Sequence, residues 1–310
     1  VTSTGYRGVV LVCCSTSESM ADDASCDING EVVFKNPFGY LPGRLVLVLV
    51  AYPALTVLYA LLLLVFLVAY CRHYSQRTPL QSVLLFVIPW GVVDVLLWLA
   101  TFAEMNERGT LPCCPLQPVA GLALVADAGL RTVLQGALLL VSNGLGVVTL
   151  SLPRASRVLT AVLCSSYLAA SLWADFSALQ HPGEANDVAP ELFRLIANVA
   201  LISTAYLLLN STVKQLEHSQ QHAKLAMYRQ FTQLLLLLVT LWLLAESLRM
   251  LVFTGTIAFP FRLIAVFSVV SPALYLLAIG GACYIWAPSP MARSYAQHQQ
   301  LGDADGVEMA

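Results

Sequence analysis

The chain has 310 residues, of which 58% are hydrophobic and 11% are charged, and its mean hydropathy is +0.75. These values lie outside the range of ordinary soluble domains and exclude a water-soluble globular protein. The net charge of −2 gives no support for nucleic-acid binding, and we expect no nucleic acid among the partners.

Residues 1–40 contain two short runs typical of β-strands, GVVLVCC and EVVF, separated by an acidic, serine-rich stretch. Two strands are too few to bury a hydrophobic core. The chain begins at Val1, and no run before Gly43 has the charged start and apolar stretch of a signal peptide. We therefore expect residues 1–40 to be the end of a larger non-cytosolic domain, in a chain that is a fragment or a processed product.

Seven long apolar runs follow and predict a bundle of seven membrane-spanning helices over residues 41–290. Each run approaches or exceeds the ~20 residues that a helix needs to cross a hydrocarbon core. The first run, LVLVLVAYPALTVLYALLLLVFLVAY, is apolar on every side, as lipid requires. The predicted spans are residues 44–71, 80–103, 119–149, 158–176, 192–212, 225–254 and 259–286. The predicted fold class is an all-α membrane protein, and the polar tail, residues 291–310, is expected to be disordered.

The distribution of lysine and arginine predicts a cytosolic C-terminus. An odd number of spans places the two termini on opposite sides of the membrane. The tail and the connections on its side carry Arg72, Arg77, Arg154, Arg157, Lys214, Lys224, Arg229 and Arg293. The other side has Lys35, Arg44, Arg108, Arg194, Arg249 and Arg262 near the span ends. The positive-inside rule therefore favours this orientation by a small margin.

Five of the eight cysteines lie on the predicted non-cytosolic side, where disulfides persist. They are Cys13, Cys14, Cys26, Cys113 and Cys114. An odd number cannot pair completely within the chain, so the connectivity stays open, with a link from Cys26 to Cys113 or Cys114 as one candidate. The other three, Cys71, Cys164 and Cys283, lie in or beside spans and are expected to act as small apolar residues.

Six of the charged residues within the spans are predicted to lie in the non-cytosolic half of the bundle. They are Asp94, Asp127, Arg131, Asp175, Glu246 and Arg249. A charge at this depth costs a few kcal/mol unless it is paired or hydrated, so these side chains should face one another or a wet cavity. Asp127 and Arg131 are four residues apart, and Glu246 and Arg249 three, so each pair shares a helical face. Two interpretations stay open: a cavity that binds an anionic headgroup, a peptide or an ion, and a structural network of ion pairs.

Small and uncharged polar residues inside the spans predict contacts between helices. Ser142, Asn143 and Asn198 are expected to form interhelical hydrogen bonds rather than to bind ions. Glycine lets two backbones approach, and we expect this at Gly136, Gly144, Gly146, Gly280 and Gly281.

The connection between the fifth and sixth spans, VKQLEHSQQHAKLAMYRQ, has no glycine or proline and is expected to extend both spans as helices into the cytosol. His218 and His222 have the spacing of two metal ligands on one helical turn. The sequence EHSQQH lacks the glutamate of an HExxH site, however, so we predict a solvated polar helix and no metal. A basic surface that contacts anionic lipid or a trafficking adaptor is the functional alternative. Asn210 begins a glycosylation sequon and is expected to stay unmodified, because it faces the cytosol or the membrane edge.

Several functional classes can be compared with the residues. All five histidines lie outside the spans, so we expect neither an intramembrane metal hydrolase nor a cofactor. Residues 259–286 contain no lysine, which excludes a retinal Schiff base. The segment SPALY in the last span resembles the proline kink of G-protein-coupled receptors, but VVTLSLPR at the cytosolic end of the third span lacks their acid–base pair. A channel would need a hydrophobic gate, because the cytosolic halves of the first, second and fifth spans are apolar.

Four blocks of sequence, in order along the chain, resemble one family. They are FKNPFGYLPG (34–43), RTVLQGALLLVSNGLGVV (131–148), TVKQLEHSQQHAKLAMYRQFTQLL (212–235) and IWAPSPMARSYA (285–296). They are similar to the GOST family of Golgi-dynamics-domain seven-transmembrane proteins, also called lung seven-transmembrane receptors, with the transmembrane protein 87 branch nearest. The chain departs from that pattern by having almost none of the lumenal domain and by the proline in SPALY.

The resemblance implies a lumenal β-sandwich, of which residues 1–40 would be a remnant, and a seven-helix bundle like that of Wntless and G-protein-coupled receptors. It also implies a lumenal N-terminus and residence in Golgi membranes, with endosome or plasma membrane as further locations. The expected function is to assist trafficking of membrane cargo between the Golgi, endosomes and the surface. Membrane lipids, cargo and adaptor proteins are the expected partners, and the six intramembrane charges would line a lipid- or cargo-holding cavity. A mechanosensitive or cation channel is the alternative, and an orphan G-protein-coupled receptor is the second.

Overall fold

The computed structural model describes residues 35–36, 38–73, 78–109, 117–145, 152–180, 188–219, 222–253 and 264–287. These residues form seven long helices: α1 (Val48–Arg72), α2 (Pro79–Arg108), α3 (Pro118–Ser142), α4 (Arg154–Gln180), α5 (Val188–His218), α6 (His222–Phe253) and α7 (Val266–Ile285). Each is long and apolar enough to cross a membrane. Within the described ranges no sheet is present, which confirms the all-α seven-helix fold. The two strand candidates before residue 35 and the tail lie outside those ranges.

The third helix ends at Ser142, so the prediction that it continues to residue 149 is wrong. Gly144 has a φ of +80°, which glycine adopts readily and other residues rarely. The Leu145 N–H donates to the Leu140 carbonyl and the Gly144 N–H to the Val141 carbonyl. This pattern is a Schellman motif, which ends a helix while satisfying its last carbonyl groups. Apolar composition continues past this point, but the helix does not.

Hydroxyl groups from two other helices also bind the end of α3. Thr212 on α5 donates to the Ser142 carbonyl at 2.7 Å, and the buried Tyr228 on α6 donates to the Val141 carbonyl at 3.0 Å. The last carbonyls of a helix have no partner within it, and a buried carbonyl without one costs free energy. The two hydroxyls therefore fix the end of α3 against α5 and α6.

The helices pack mainly against their neighbours in sequence. Every consecutive pair from α1–α2 to α6–α7 is in contact, α1 and α2 both contact α7, and α3 also contacts α5. The contact between α1 and α7 closes the bundle. Large apolar side chains on the outer faces, such as Leu64, Leu207 and Leu244, are more than half exposed, as expected for surfaces that face lipid.

Glycines permit close packing at some predicted positions and not at others. A Cβ at Gly136 would lie 3.3 Å from the Cys164 sulfur on α4, and one at Gly281 would lie 2.5 Å from Leu234 on α6. Those two predictions are confirmed. The prediction is wrong for Gly280, which has nothing within 4 Å of its Cβ position. For Gly144, which ends a helix, close packing stays a prediction. Gly146 lies outside the described residues.

Of the three uncharged polar residues predicted to form interhelical hydrogen bonds, one has such a bond through its side chain. Gln135 on α3 donates to the Asn198 side chain on α5 at 3.2 Å, so the interhelical bond predicted for Asn198 is confirmed. The Ser142 hydroxyl and the Asn143 side-chain nitrogen are buried without a hydrogen-bond partner among the described residues.

The segment before α1 is bound to the end of α2 through Asn106. The Asn106 side chain accepts a hydrogen bond from the Leu41 N–H at 3.2 Å and donates one to the Phe38 carbonyl at 2.9 Å. Its carbonyl accepts the Tyr40 N–H at 3.0 Å. Gly39 has a φ of +135°, and a Cβ there would lie 2.3 Å from the Asn106 side chain. We call residues 38–41 together with Asn106 the Asn106 clamp.

Candidate ligand cavity

A proline inside α7 helps to join that helix to α1. Pro272 has no N–H, so the Ser268 carbonyl one turn earlier loses its usual helical partner. The Tyr52 hydroxyl on α1 donates to that carbonyl at 3.3 Å, and the Tyr59 hydroxyl donates to the Pro272 carbonyl at 3.4 Å. Two buried tyrosines therefore hold α1 against α7 on both sides of the missing helical hydrogen bond.

Beside this seam lies a cavity of about 320 Å³. Its walls come from α1, α2, α3 and α7, in the half of the bundle where α1, α3 and α7 begin and α2 ends. The aromatic wall consists of Tyr52, Trp98, Phe102, Phe267 and Tyr275. The main polar groups are Asp94, Asp127, Arg131, Ser268 and Ser271. The cavity thus combines aromatic surface with both signs of charge.

Asp94 is the buried carboxylate of this cavity. Its relative exposure is 2%, and its Oδ1 has no hydrogen-bond partner among the described residues. A buried polar atom without a partner is costly, and a buried carboxylate is more so. Gly91, one turn earlier on α2, lets the Tyr59 ring approach, because a Cβ there would lie 2.5 Å from that ring.

Arg131 contributes the cationic group of the cavity wall, and it is shared between two carboxylates. Its Nη2 donates to Asp127 at 3.0 Å on the same helix and also to Asp175 on α4. Asp175 accepts a further bond from Arg194 on α5 at 3.0 Å, and Arg194 in turn binds Glu191 at 2.6 Å. The result is a chain of alternating charges through α3, α4 and α5 that begins at the cavity.

A family profile described as the GOST seven-transmembrane domain matches residues 48–291, which include all seven helices. This chain belongs to the GOST family. No curated protein matched the sequence. The cavity and the charge chain of this GOST protein both lie within the matched residues.

The six intramembrane charges of the GOST bundle do not all meet. Asp94, Asp127 and Arg131 line the cavity, and Asp175 lies next to them through Arg131. Glu246 and Arg249 pair with each other at 2.5 Å on α6 and are not among the residues that line this cavity. The prediction that each pair shares one helical face is confirmed by its ion pair, and the ligand-binding role of all six stays a prediction.

Sequence reasoning did not identify Arg194, Glu191 or the aromatic wall as parts of this site. Arg194 lies near the start of α5, and its spacing of three residues from Glu191 is a weak signal of a helical ion pair. The aromatic residues Tyr52, Trp98 and Tyr275 stand inside apolar runs, where nothing distinguishes them from lipid-facing residues. Their convergence depends on which helices pack together.

The remaining predicted sites give a mixed result. Cys26, Cys113 and Cys114 lie outside the described residues, and Cys71, Cys164 and Cys283 are free thiols. His218 ends α5 and His222 begins α6, so both helices extend beyond their apolar runs as predicted, and the two histidines lie on different helices. Among the described residues, no group of three or more His, Cys, Asp and Glu side chains could hold a metal ion.

Proposed function

We propose that this GOST protein assists the transport of membrane cargo between the Golgi, endosomes and the cell surface, and that its cavity holds a lipid headgroup or a cargo segment during transport. Family membership and the cavity support the proposal. The observation that carries the binding part is Asp94, a buried carboxylate that lines the cavity and has an oxygen without a hydrogen-bond partner among the described residues. A bound polar group would satisfy that oxygen.

The dimensions of the cavity suit part of a ligand rather than a whole lipid. Its volume of about 320 Å³ lies at the lower end of the ~300–1,000 Å³ typical of ligand pockets. A headgroup or a single side chain fills such a space, while acyl chains or a cargo helix would remain on the apolar outer surface. The cavity is therefore suited to the polar end of a molecule that stays in the membrane.

Filling the cavity tests this function directly. Ser271 lines the cavity on α7, whereas Leu277 on the same helix is exposed on the outer surface. Cells that lack the protein should deliver membrane cargo late, and expression of the wild-type protein should restore the normal time. We expect Ser271→Phe to fail to restore it and Leu277→Phe to restore it as well as wild type. The measurement is the time from synchronised release of a membrane cargo to its arrival at the cell surface.

Two outcomes of that assay contradict parts of the proposal. Normal cargo delivery in cells lacking the protein would overturn the trafficking role. Full rescue by Ser271→Phe, with its expression and melting temperature close to those of Leu277→Phe, would show that trafficking does not use the cavity.

A further inference from the structure

We propose that the cavity binds an organic ammonium group, with the Asp94 carboxylate as its counter-ion and the aromatic rings around it as its wall. This inference rests on the proposed ligand-holding function and specifies its chemistry. It replaces the anionic headgroup considered from the sequence with an ammonium group, which a zwitterionic headgroup or a free amine would carry.

The charges around the cavity favour a cation. Asp94 and Asp127 line the cavity as carboxylates, and Arg131 is the cationic group opposing them. The Nη2 of Arg131 is already bound to Asp127 and to Asp175, so its charge is compensated within the protein. Asp94 has no hydrogen bond to a described residue through its Oδ1. A positively charged ligand would neutralise the Asp94 carboxylate, whereas an anionic ligand would lie beside a group of the same charge and be repelled.

The arrangement of aromatic rings favours an organic cation over a metal ion. Trp98 and Phe102 stack with ring centroids 5.7 Å apart, and Phe102 meets Tyr52 edge-on at 5.3 Å. An ammonium group is attracted to the faces of such rings, with tryptophan the strongest. Small metal cations need several oxygen ligands in a compact shell, and no group of carboxylates and histidines suited to a metal is present among the described residues.

Helix α2 supplies the carboxylate and much of the aromatic wall from one side. Asp94, Trp98 and Phe102 are spaced four residues apart, so they lie on neighbouring turns of one helical face. All three line the cavity. An ammonium group at Asp94 would therefore lie within reach of aromatic carbon without any rearrangement of the bundle.

The ammonium group has two sources, a lipid headgroup and a free amine, and short-chain probes distinguish them. Purified full-length protein in a nonionic detergent is titrated with dihexanoyl phosphatidylcholine, with choline chloride alone and with dihexanoyl phosphatidylglycerol, which has no amine. Tryptophan fluorescence reports binding, because Trp98 lies in the wall. We expect phosphatidylcholine to bind and phosphatidylglycerol to bind at least about tenfold more weakly. Binding of choline alone would support a free amine as the ligand, and its absence would support a lipid.

Matched variants connect the binding to Asp94. Asp94→Asn keeps the shape of the side chain and removes its charge, and it should weaken phosphatidylcholine binding about tenfold. Glu104→Gln removes a carboxylate from the same helix outside the cavity, where Glu104 pairs with Arg108, and should leave binding unchanged. Phe102→Leu provides a second variant, which should weaken binding by removing an aromatic ring of the wall while retaining both the charge of Asp94 and the Trp98 reporter.

The two proposals fail in different ways. Equal or tighter binding of phosphatidylglycerol, or Asp94→Asn binding within twofold of wild type, would overturn the ammonium site and leave a lipid-holding cavity intact. Wild-type protein that binds none of the three probes would also overturn the ammonium site, while the cargo-delivery assay would still decide the trafficking role.

Discussion

Asp175 is the residue on which the charge chain depends, because it accepts hydrogen bonds from two arginines on two other helices. Arg131 on α3 and Arg194 on α5 both bind its carboxylate, and its side chain is only 13% exposed. Removing one partner of a buried ion pair leaves a charge uncompensated in a region of low dielectric constant. Loss of Asp175 would leave two such charges short of a partner.

We expect Asp175→Ala to lower the free energy of unfolding by about 3 kcal/mol. Thermal unfolding in detergent, monitored by size-exclusion chromatography, measures the loss of stability of each variant relative to wild type. Glu191→Ala is the control, because Glu191 lies at the outer end of the same chain and its side chain is 47% exposed. An exposed pair contributes about 0–1 kcal/mol. Equal losses for the two variants would contradict a stabilising role for the buried part of the chain.

At this scale the sequence could predict pairs within a helix but not between helices. The spacing of Asp127 and Arg131 was sufficient to predict their contact, because helical geometry fixes it. The contact of Arg131 with Asp175 could not be predicted, since it depends on the rotation of α4 about its axis relative to α3. The same limit applies to Glu246 and Arg249. Their contact with each other is confirmed, but their position relative to the cavity depends on how the helices pack and could not be predicted from the sequence.

Among the helices, α2 and α3 are joined where a glycine faces a tryptophan. Trp90 donates from its indole nitrogen to the Ala126 carbonyl at 2.8 Å, and a Cβ on Gly129 would lie 2.6 Å from the indole ring. Because this hydrogen bond holds the Trp90 ring in place, the ring cannot move away from Gly129 without breaking the bond. The glycine therefore determines how closely the two helices that carry the cavity charges approach.

We expect Gly129→Ala to cost about 1–3 kcal/mol through overpacking. Gly280→Ala on α7 is the matched control, because nothing lies within 4 Å of its Cβ position, and its effect should stay within about 0.5 kcal/mol. Melting temperatures of the two variants measure the difference. A stable Gly129→Ala protein would show that α2 and α3 can separate without loss.

The end of α3 gives a second test on an element. We expect Gly144→Val to cost about 1–2 kcal/mol, because a branched residue is strained at a positive φ. Gly144→Asn should cost less, since asparagine tolerates the left-handed conformation. Denaturation of both variants in the same detergent gives the comparison. Equal stability of valine and asparagine at this position would argue against the observed backbone conformation.

Element number could be predicted from the sequence, and element ends could not. Seven apolar runs predicted seven helices because lipid demands that every backbone polar group be satisfied internally. Helices α4 and α5 extend beyond their apolar runs, since charged residues such as Arg154 and Glu191 continue a helix into the polar region of a membrane. Helix α3 stops inside its run because the conformation of one glycine, rather than polarity, ends it.

The orientation of the whole bundle is a prediction that glycosylation mapping can test. We expect a sequon inserted between α4 and α5 to acquire a glycan, because that connection is predicted to be lumenal. A sequon inserted between α3 and α4 should remain unmodified, and so should the natural sequon at Asn210, which lies inside α5. Gel mobility before and after glycosidase treatment provides the readout. The reverse pattern would place the N-terminus in the cytosol.

The described cavity occupies one half of the bundle, and this bears on the channel alternative. Its lining residues lie where α1, α3 and α7 begin. We expect the purified protein in planar bilayers to pass no current at applied voltages of either sign, because a conducting pore needs a polar path across both halves. Current that disappears with Asp94→Asn would instead support the channel.

The Asn106 clamp gives the chain before α1 a mechanical connection to α2. A displacement of the backbone at Phe38, Tyr40 or Leu41 is transmitted through three hydrogen bonds to the last turns of that helix. The same helix carries Asp94, Trp98 and Phe102 in the cavity wall. Tension on the segment that precedes the bundle would therefore be passed to the helix that carries part of the cavity wall, with Asn106 as the point at which the force enters.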